Sequence, residues 1–292
     1  MISQLIIYGL ALGSVYALVS VGFALVFNVL KFSNFSHGGI MVVTAYIGYL
    51  AAINLKTNLF FTLLISAVAG GVLAVLVEFF GFRRLRKGNQ DIILYFVSTV
   101  TIGMLLSNLI SIFFSSTFYS YPSFFKTPYF EILGEKISKN DTIMFIISVV
   151  GLLLLMLILY RTRLGIAIRA ISMDYSTTGL MGVNVTLVIA VTFFVAGVFG
   201  GLAGVFLGIS YILSPQLGNM VVKGFIASVL GGLGNLSGAI IGAFILAIIE
   251  TILAYVPFIG AGLSPVIIFI IMLVFLLLRP QGIMGKASEQ KA

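Results

Sequence analysis

The chain has 292 residues, 61% of them apolar and only 8% charged, with a mean hydropathy of +1.23. A soluble fold needs a mostly wet exterior and about 25% charged residues, so a soluble enzyme and a disordered chain are both excluded. The absence of cysteine excludes disulfides and thiolate chemistry, and a single histidine excludes a histidine-based metal cluster.

One crossing of a membrane takes about 20 apolar residues. The composition therefore predicts an all-α polytopic membrane protein, with residues 1–292 forming one transmembrane domain. Apolar runs place candidate spans at roughly 4–30, 36–55, 59–82, 92–115, 142–160, 184–212, 219–233, 236–257 and 263–279. The stretch 213–235 is rich in Gly and Pro and reads either as a re-entrant pair or as a broken helix, which leaves eight or nine spans.

Ten of the sixteen Lys and Arg residues sit in three places: Arg83, Arg84, Arg86 and Lys87; Arg161, Arg163 and Arg169; and Arg279, Lys286 and Lys291. Their clustering predicts cytoplasmic loops at 83–91 and 161–184 and a cytoplasmic tail at 280–292. In the polar stretch 116–141, Lys126, Lys136 and Lys139 are balanced by Glu131, Glu135 and Asp141, so this loop is expected outside. With nine spans the N-terminus is then external. Met1 to Gln4 carry no Lys or Arg, which also argues against a cleaved signal peptide. The net charge of +8 reads as loop charge rather than as affinity for nucleic acid. Tyr119, Tyr121 and Tyr129, together with Tyr95 and Tyr160, are expected as interfacial anchors in a chain without tryptophan.

Glycines recur four apart at Gly9 and Gly13, at Gly197 and Gly201, at Gly200, Gly204 and Gly208, and at Gly234, Gly238 and Gly242. On a helix this spacing makes a groove into which a second backbone fits. The grooves read as tight bundle packing first, and second as interfaces that slide during transport. Similar grooves in the first span and in 196–208 hint at an internal repeat.

Few polar residues fall inside spans. Glu250 lies in an apolar run, where a lone charge costs at least ~2.5–3.5 kcal/mol, so it is expected to face the protein interior. Lys223 is a conceivable partner, although snorkelling to an interface is the favoured reading. Glu78 is expected in an ion pair with the basic cluster that follows it. Asn28, Asn34 and His37 surround a break after the first span, with Gly38-Gly39 following, and His37 reads as a packing residue ahead of a proton shuttle. Phosphate-cradling, zinc-protease and nucleophile-elbow motifs are absent, so no catalytic residue, no metal site and no bound cofactor are expected in this chain. The loop 161–184 has helical patterning from Arg161 to Met173, with a second start at Ser176, which is more than a tether needs. It reads either as a basic loop on anionic headgroups or as a docking helix for a soluble partner.

Four stretches carry a resemblance. They are Gly9-Leu10-Ala11-Leu12-Gly13-Ser14-Val15-Tyr16-Ala17-Leu18, continuing through Leu30 to Gly38; Thr162-Arg163-Leu164-Gly165 with Arg169-Ala170 and Gly182-Val183-Asn184; Gly231-Gly232-Leu233-Gly234-Asn235-Leu236-Ser237-Gly238-Ala239 through Glu250; and Arg279-Pro280-Gln281-Gly282-Ile283-Met284-Gly285. In these the chain resembles the permease subunits of bacterial ABC importers for branched-chain amino acids, specifically the shorter of the two. Met173-Asp174-Tyr175 and Thr178 depart from the family pattern. The resemblance implies a second permease subunit, two ATP-binding subunits that carry ATP and Mg, and an extracytoplasmic substrate-binding protein, all in a bacterial inner membrane. It also implies an ATPase-coupling loop that includes Gly165, Arg169, Ala170, Gly179 and Gly182. Asn34, His37, Gly38, Pro215 and Glu250 are the pathway or gate candidates. Rival readings are an ABC permease for urea, an amide or a sugar, and an ion-coupled secondary transporter using Glu250 with Lys223 or His37. An integral membrane enzyme is disfavoured for want of a polar catalytic cluster.

Overall fold

The computed structural model describes residues 2–87, 92–115, 117–125, 127, 129–132, 135–256 and 260–285. Asp91, Lys126, Lys286 and Lys291 lie outside the described residues. The order of elements is α1 (Ile2–Leu30), α2 (Ser36–Asn54), α3 (Leu59–Val77), α4 (Ile92–Phe114), a hairpin of β1 (Tyr129–Ile132) and β2 (Glu135–Ser138), α5 (Lys139–Arg161), α6 (Arg163–Met173), α7 (Tyr175–Leu180), α8 (Val185–Ser210), α9 (Val221–Gly231), α10 (Leu236–Tyr255) and α11 (Gly260–Leu278). The expected all-α membrane fold is what forms. Lipid offers no water to backbone groups, so each crossing satisfies its own hydrogen bonds as a helix. The two strands sit in the loop 116–141, pairing Tyr129 with Ser138 and Ile132 with Glu135.

Among the described residues seven helices are long and apolar enough to cross a membrane, and Gly262–Leu278 is a shorter apolar helix. The Gly- and Pro-rich stretch adds a crossing in two pieces. At one end Leu213 pairs with Tyr119 through two backbone bonds of 2.9 Å. A 3-10 segment, Pro215–Met220, then leads into α9. At the other end the α9 carbonyls of Leu230 and Gly231 accept from Ile283 and Met284, both bonds 2.9 Å. The segment thus runs from the end that carries the 116–141 loop to the C-terminal basic end, as a broken helix rather than a re-entrant pair. With α11 this makes nine passes.

The glycine grooves hold the bundle together. A Cβ on Gly70 of α3 would fall 2.2 Å from the Gly197 carbonyl oxygen of α8, and one on Gly201 would fall 2.2 Å from that of Ser66. Gly13 of α1 meets Phe244 of α10, and Gly242 of α10 meets Ala227 of α9. Backbone is packed directly on backbone, the arrangement small residues permit where no hydrophobic drive exists. Gly234 is a correction to the pattern: it lies in the turn before α10 with φ +84°, so only Gly238 and Gly242 belong to that groove. Tyr121 is a second correction. It packs inward, its hydroxyl donating to the Ala45 carbonyl at 2.6 Å, and burial pushes its phenol pKa up.

Candidate functional site

Two chain breaks meet inside the bundle. After α1 the chain folds back over residues 31–35, and α2 begins beside the body of α1 rather than at its end. A Cβ on Gly22 would lie 2.7 Å from the His37 ring, and one on Gly200 would lie 2.9 Å from it. Asn34 organises the turn: its Oδ1 accepts from the Ser36 hydroxyl at 2.6 Å and from the Ser36 N–H at 3.2 Å. Phe35 is wedged among Phe23, Phe96 and Phe225, with ring centroids 5.6–5.8 Å apart. The second break is the 3-10 segment before α9. Gly38 and Gly218 bring the two breaks into contact, since a Cβ on Gly38 would fall 2.4 Å from the Gly218 oxygen.

Beside this crossing lies a cleft of about 400 Å³, lined by the first turns of α2 and α9, the 3-10 segment and α4. Gly38 and Pro215 line it, as do Ser107, Asn108, Gln216 and Asn219. The positive ends of α2 and α9 both border the cleft, and helix N-termini favour a carboxylate. Val100, Met104, Val221 and Val222 make the rest of its lining apolar. His37 stands behind the cleft, fully buried, and its Nε2 has no hydrogen-bond partner among the described residues. The polar lining of α4 has a sequence signal: Ser107, Asn108 and Ser111 recur on a mostly apolar helix.

Glu250 belongs to a different locus. It faces the interior, as expected, but Lys223 does not snorkel. The Lys223 Nζ reaches Glu250 Oε1 at 2.5 Å and donates to the Tyr16 hydroxyl oxygen at 2.8 Å. Tyr16 in turn donates to Glu250 Oε2 at 3.1 Å, and its oxygen lies 3.1 Å from that of Tyr211. The lysine also sits over both tyrosine rings. The four residues come from α1, the end of α8, α9 and α10, so the network ties the broken span to three neighbours. An interior ammonium is stable only when a carboxylate and further hydrogen bonds compensate it, which is why snorkelling loses here. Tyr16 and Tyr211 were invisible as partners because nothing local marks them.

At the basic end, α6 and α7 form the expected pair of short helices, although α7 opens at Tyr175 rather than Ser176. Thr162 caps α6 through Gly165 N–H at 3.2 Å. Gly165 is pressed on the end of α5, where a Cβ would fall 2.2 Å from the Leu159 oxygen. Ile168 and Ile171 are buried on the same side. Arg169 points outward and stacks 5.4 Å from the Tyr160 ring centroid. Ala170 is half-buried. Asp174 caps α7: hydrogen bonds first from the Thr177 hydroxyl, then from the Ser176 hydroxyl and the backbone, hold its carboxyl down at about 2. Gly179 is exposed, with only Val185 near a would-be Cβ at 3.7 Å. Gly182 ends the pair with φ +82°, a left-handed stop that suits glycine. Around this corner Met173, Leu180 and Met181 are 88%, 89% and 79% exposed, an apolar tip beyond the bundle.

Comparison with known proteins covers nearly the whole chain. LivH of Salmonella typhimurium, a high-affinity branched-chain amino acid transport system permease protein, is 29% identical over 97% of this chain and 95% of its own length. BraD of Pseudomonas aeruginosa, described in the same words, is 29% identical over 99% of this chain and 97% of its own. A probable branched-chain amino acid transport permease protein LivH of Methanocaldococcus jannaschii is 28% identical over 92% and 88%. Among solved structures, a chain of PsaBC from Streptococcus pneumoniae in complex with Fab superposes with a TM-score of 0.51 at 14% identity, over 94% of this chain and 89% of that one, a likeness of fold alone. The family profile described as branched-chain amino acid transport system / permease component matches residues 5–276, and with the nine-pass bundle and its crossed helix breaks this chain belongs to that family of multi-pass membrane permeases.

Proposed function

We propose that the chain forms half of a translocation path for branched-chain amino acids, paired with a second permease subunit and driven by two ATP-binding subunits that carry ATP and Mg. An extracytoplasmic binding protein delivers the substrate. The observation that carries this reading is the meeting of two helix breaks beside a cleft whose lining is part polar and part apolar. Such a substrate has a zwitterionic end and an apolar side chain. The helix N-termini and the amides of Gln216 and Asn219 suit the first, and Val100 and Met104 suit the second.

The α6–α7 corner is the coupling element in this reading. Gly165 and Gly182 shape it, while Arg169, Ala170 and the exposed apolar tip meet the ATPase. Purified permease reconstituted with its partners tests both parts through uptake of labelled leucine and co-purification of the ATPases. Arg169→Glu combined with Gly179→Trp is expected to leave the chain folded, because both positions are exposed, and to reduce uptake and ATPase retention at least tenfold. Normal assembly and normal uptake would reduce the corner to a tether.

The Lys223–Glu250–Tyr16–Tyr211 chain supports a second reading, an ion-coupled transporter. Leucine uptake that persists in proteoliposomes without the ATPases, and that follows an imposed ion gradient, would decide for it.

A further inference from the structure

The basic end of the bundle holds a second cleft, of about 330 Å³, walled by the end of α1, the 3-10 turn Leu85–Lys87, the start of α4 and the end of α6. Its polar lining is Lys31, Arg86, Tyr95, Ser172 and Tyr175, and among the described residues, which leave out Asp91, no carboxylate lines it. Arg86 gives one nitrogen, Nη2, to Glu78. Its second terminal nitrogen, Nη1, is buried with no partner among the described residues, and the Arg86 side chain as a whole is only 8% exposed. A guanidinium is a planar fork made for two acceptors, and here one prong is used. Glu78 is already met by Arg83 as well, at 2.8 Å, so one carboxylate faces two guanidiniums, and Lys31 adds a further positive charge. The nearest other carboxylate in sequence, Asp174 between the lining residues Met173 and Tyr175, is committed to Ser176 and Thr177.

Lys31 adds an independent sign. It holds a left-handed backbone with φ +58° just past α1, a position where glycine is the easy choice. Partial desolvation at the cleft lowers its ammonium pKa from the ordinary value, a cost that a bound anion would offset. The remaining walls are Val29, Leu30, Phe32, Ile171 and Met173, with Phe32 and Tyr95 stacked at 4.8 Å.

We infer that this cleft is a binding site for a phosphate group, held by Arg86 and Lys31 with the hydroxyls of Tyr95 and Tyr175. The apolar walls fit the glyceryl and first acyl carbons of an anionic lipid from the cytoplasmic leaflet. A free phosphate compound offers the same anion without that contact.

The test is native mass spectrometry of the purified full-length chain in detergent, titrated with phosphatidylglycerol or with phosphatidylcholine of the same acyl chains. Preferential retention of one phosphatidylglycerol is expected. Each removed cation should weaken it about fivefold, the effect of one Lys or Arg near an anionic surface. Lys31→Gln removes a cation that does not touch Glu78, and Arg86→Lys keeps a positive charge on Glu78 while removing the free prong. Both should lose phosphatidylglycerol, whereas Lys56→Gln, at the opposite end of the bundle, should not. Size-exclusion profile and melting temperature in phosphatidylcholine check that the variants fold. Displacement of the lipid by millimolar inorganic phosphate assigns the site to free phosphate groups; no displacement assigns it to the lipid. Equal retention of the two lipids, unchanged retention in both cleft variants, or an equal loss in Lys56→Gln would overturn the site.

Discussion

Glu78 and Glu250 are both acidic residues in apolar surroundings, and both are paired, but over very different distances along the chain. Glu78 is fully buried and bound by Arg83 and Arg86, five and eight residues on. The chain makes a π-helical turn over Glu78–Phe82 that brings the first guanidinium back onto the carboxylate. Glu250 is bound by Lys223, 27 residues away, and by Tyr16, 234 residues away. The first cluster belongs to one corner at the end of a helix. The second joins four separate elements, one of them the broken span. A local pair stabilises the corner where it forms, whereas a long-range pair holds elements in register and is the one that a change in helix positions must break.

The largest effect should follow Lys223→Met. It leaves Glu250 in the interior without its cation, and breaking such a pair costs about 3–5 kcal/mol. Thermal unfolding in detergent should show the loss, and Lys223→Met with Glu250→Gln together should recover most of it. An unchanged melting temperature in the single variant would mean that water already reaches Glu250. The same logic makes Glu250→Gln milder than Glu250→Lys, which sets two cations side by side.

Glu78→Gln should cost less, about 1–3 kcal/mol. The amide oxygen still accepts from the buried Arg86, 8% exposed in its side chain, so no charge is left without an acceptor, and Arg83, 29% exposed, can turn to water. A cost equal to that of Lys223→Met would erase the contrast between local and long-range pairing. Tyr16→Phe sharpens the second cluster further. It removes one donor to Glu250 and one acceptor for Lys223 but leaves the ion pair, so about 1 kcal/mol is expected, with leucine uptake as the more sensitive measurement.

Asp174 is the exposed extreme of the series, and the smallest effect is expected there. Its pKa lies below the ordinary carboxylate value, so its contribution to the α7 start is complete above that ordinary value and fades as pH falls toward about 2. Hydrogen exchange of residues 175–181 should stay protected at pH 3, where an ordinary aspartate is mostly protonated. Asp174→Asn keeps an acceptor and should retain most of this protection, whereas Asp174→Ala should lose it at every pH.

The same contrast explains which parts of the molecule were legible. The Glu78 pair was expected because its arginines follow within two helical turns. The Lys223 pair was misjudged because snorkelling is the usual outcome for an isolated lysine near a helix end, and the compensating tyrosines lie on α1 and after α8. Glycine spacing predicted grooves but not partners. That Gly70 meets Gly197 while Gly22 and Gly200 both meet His37 depends on how the helices are arranged around one another. Of the residues at the two breaks, Gly38 and Pro215 line one cleft, since a break in an apolar run is visible wherever it occurs. The polar residues of α4 that line the same cleft were overlooked.

By itself the sequence determined the membrane class, the helical spans, the pair of short helices between α5 and α8 and the family. These follow from local rules, because lipid obliges each crossing to be apolar and self-bonded. Only the tertiary structure decided that residues 214–231 cross in two pieces, that the two breaks touch at Gly38 and Gly218, and that Lys223 turns inward to Glu250. Those outcomes depend on packing and charge compensation between residues far apart in the chain, and apolar spans of similar hydropathy do not encode in their own composition which neighbour each will meet.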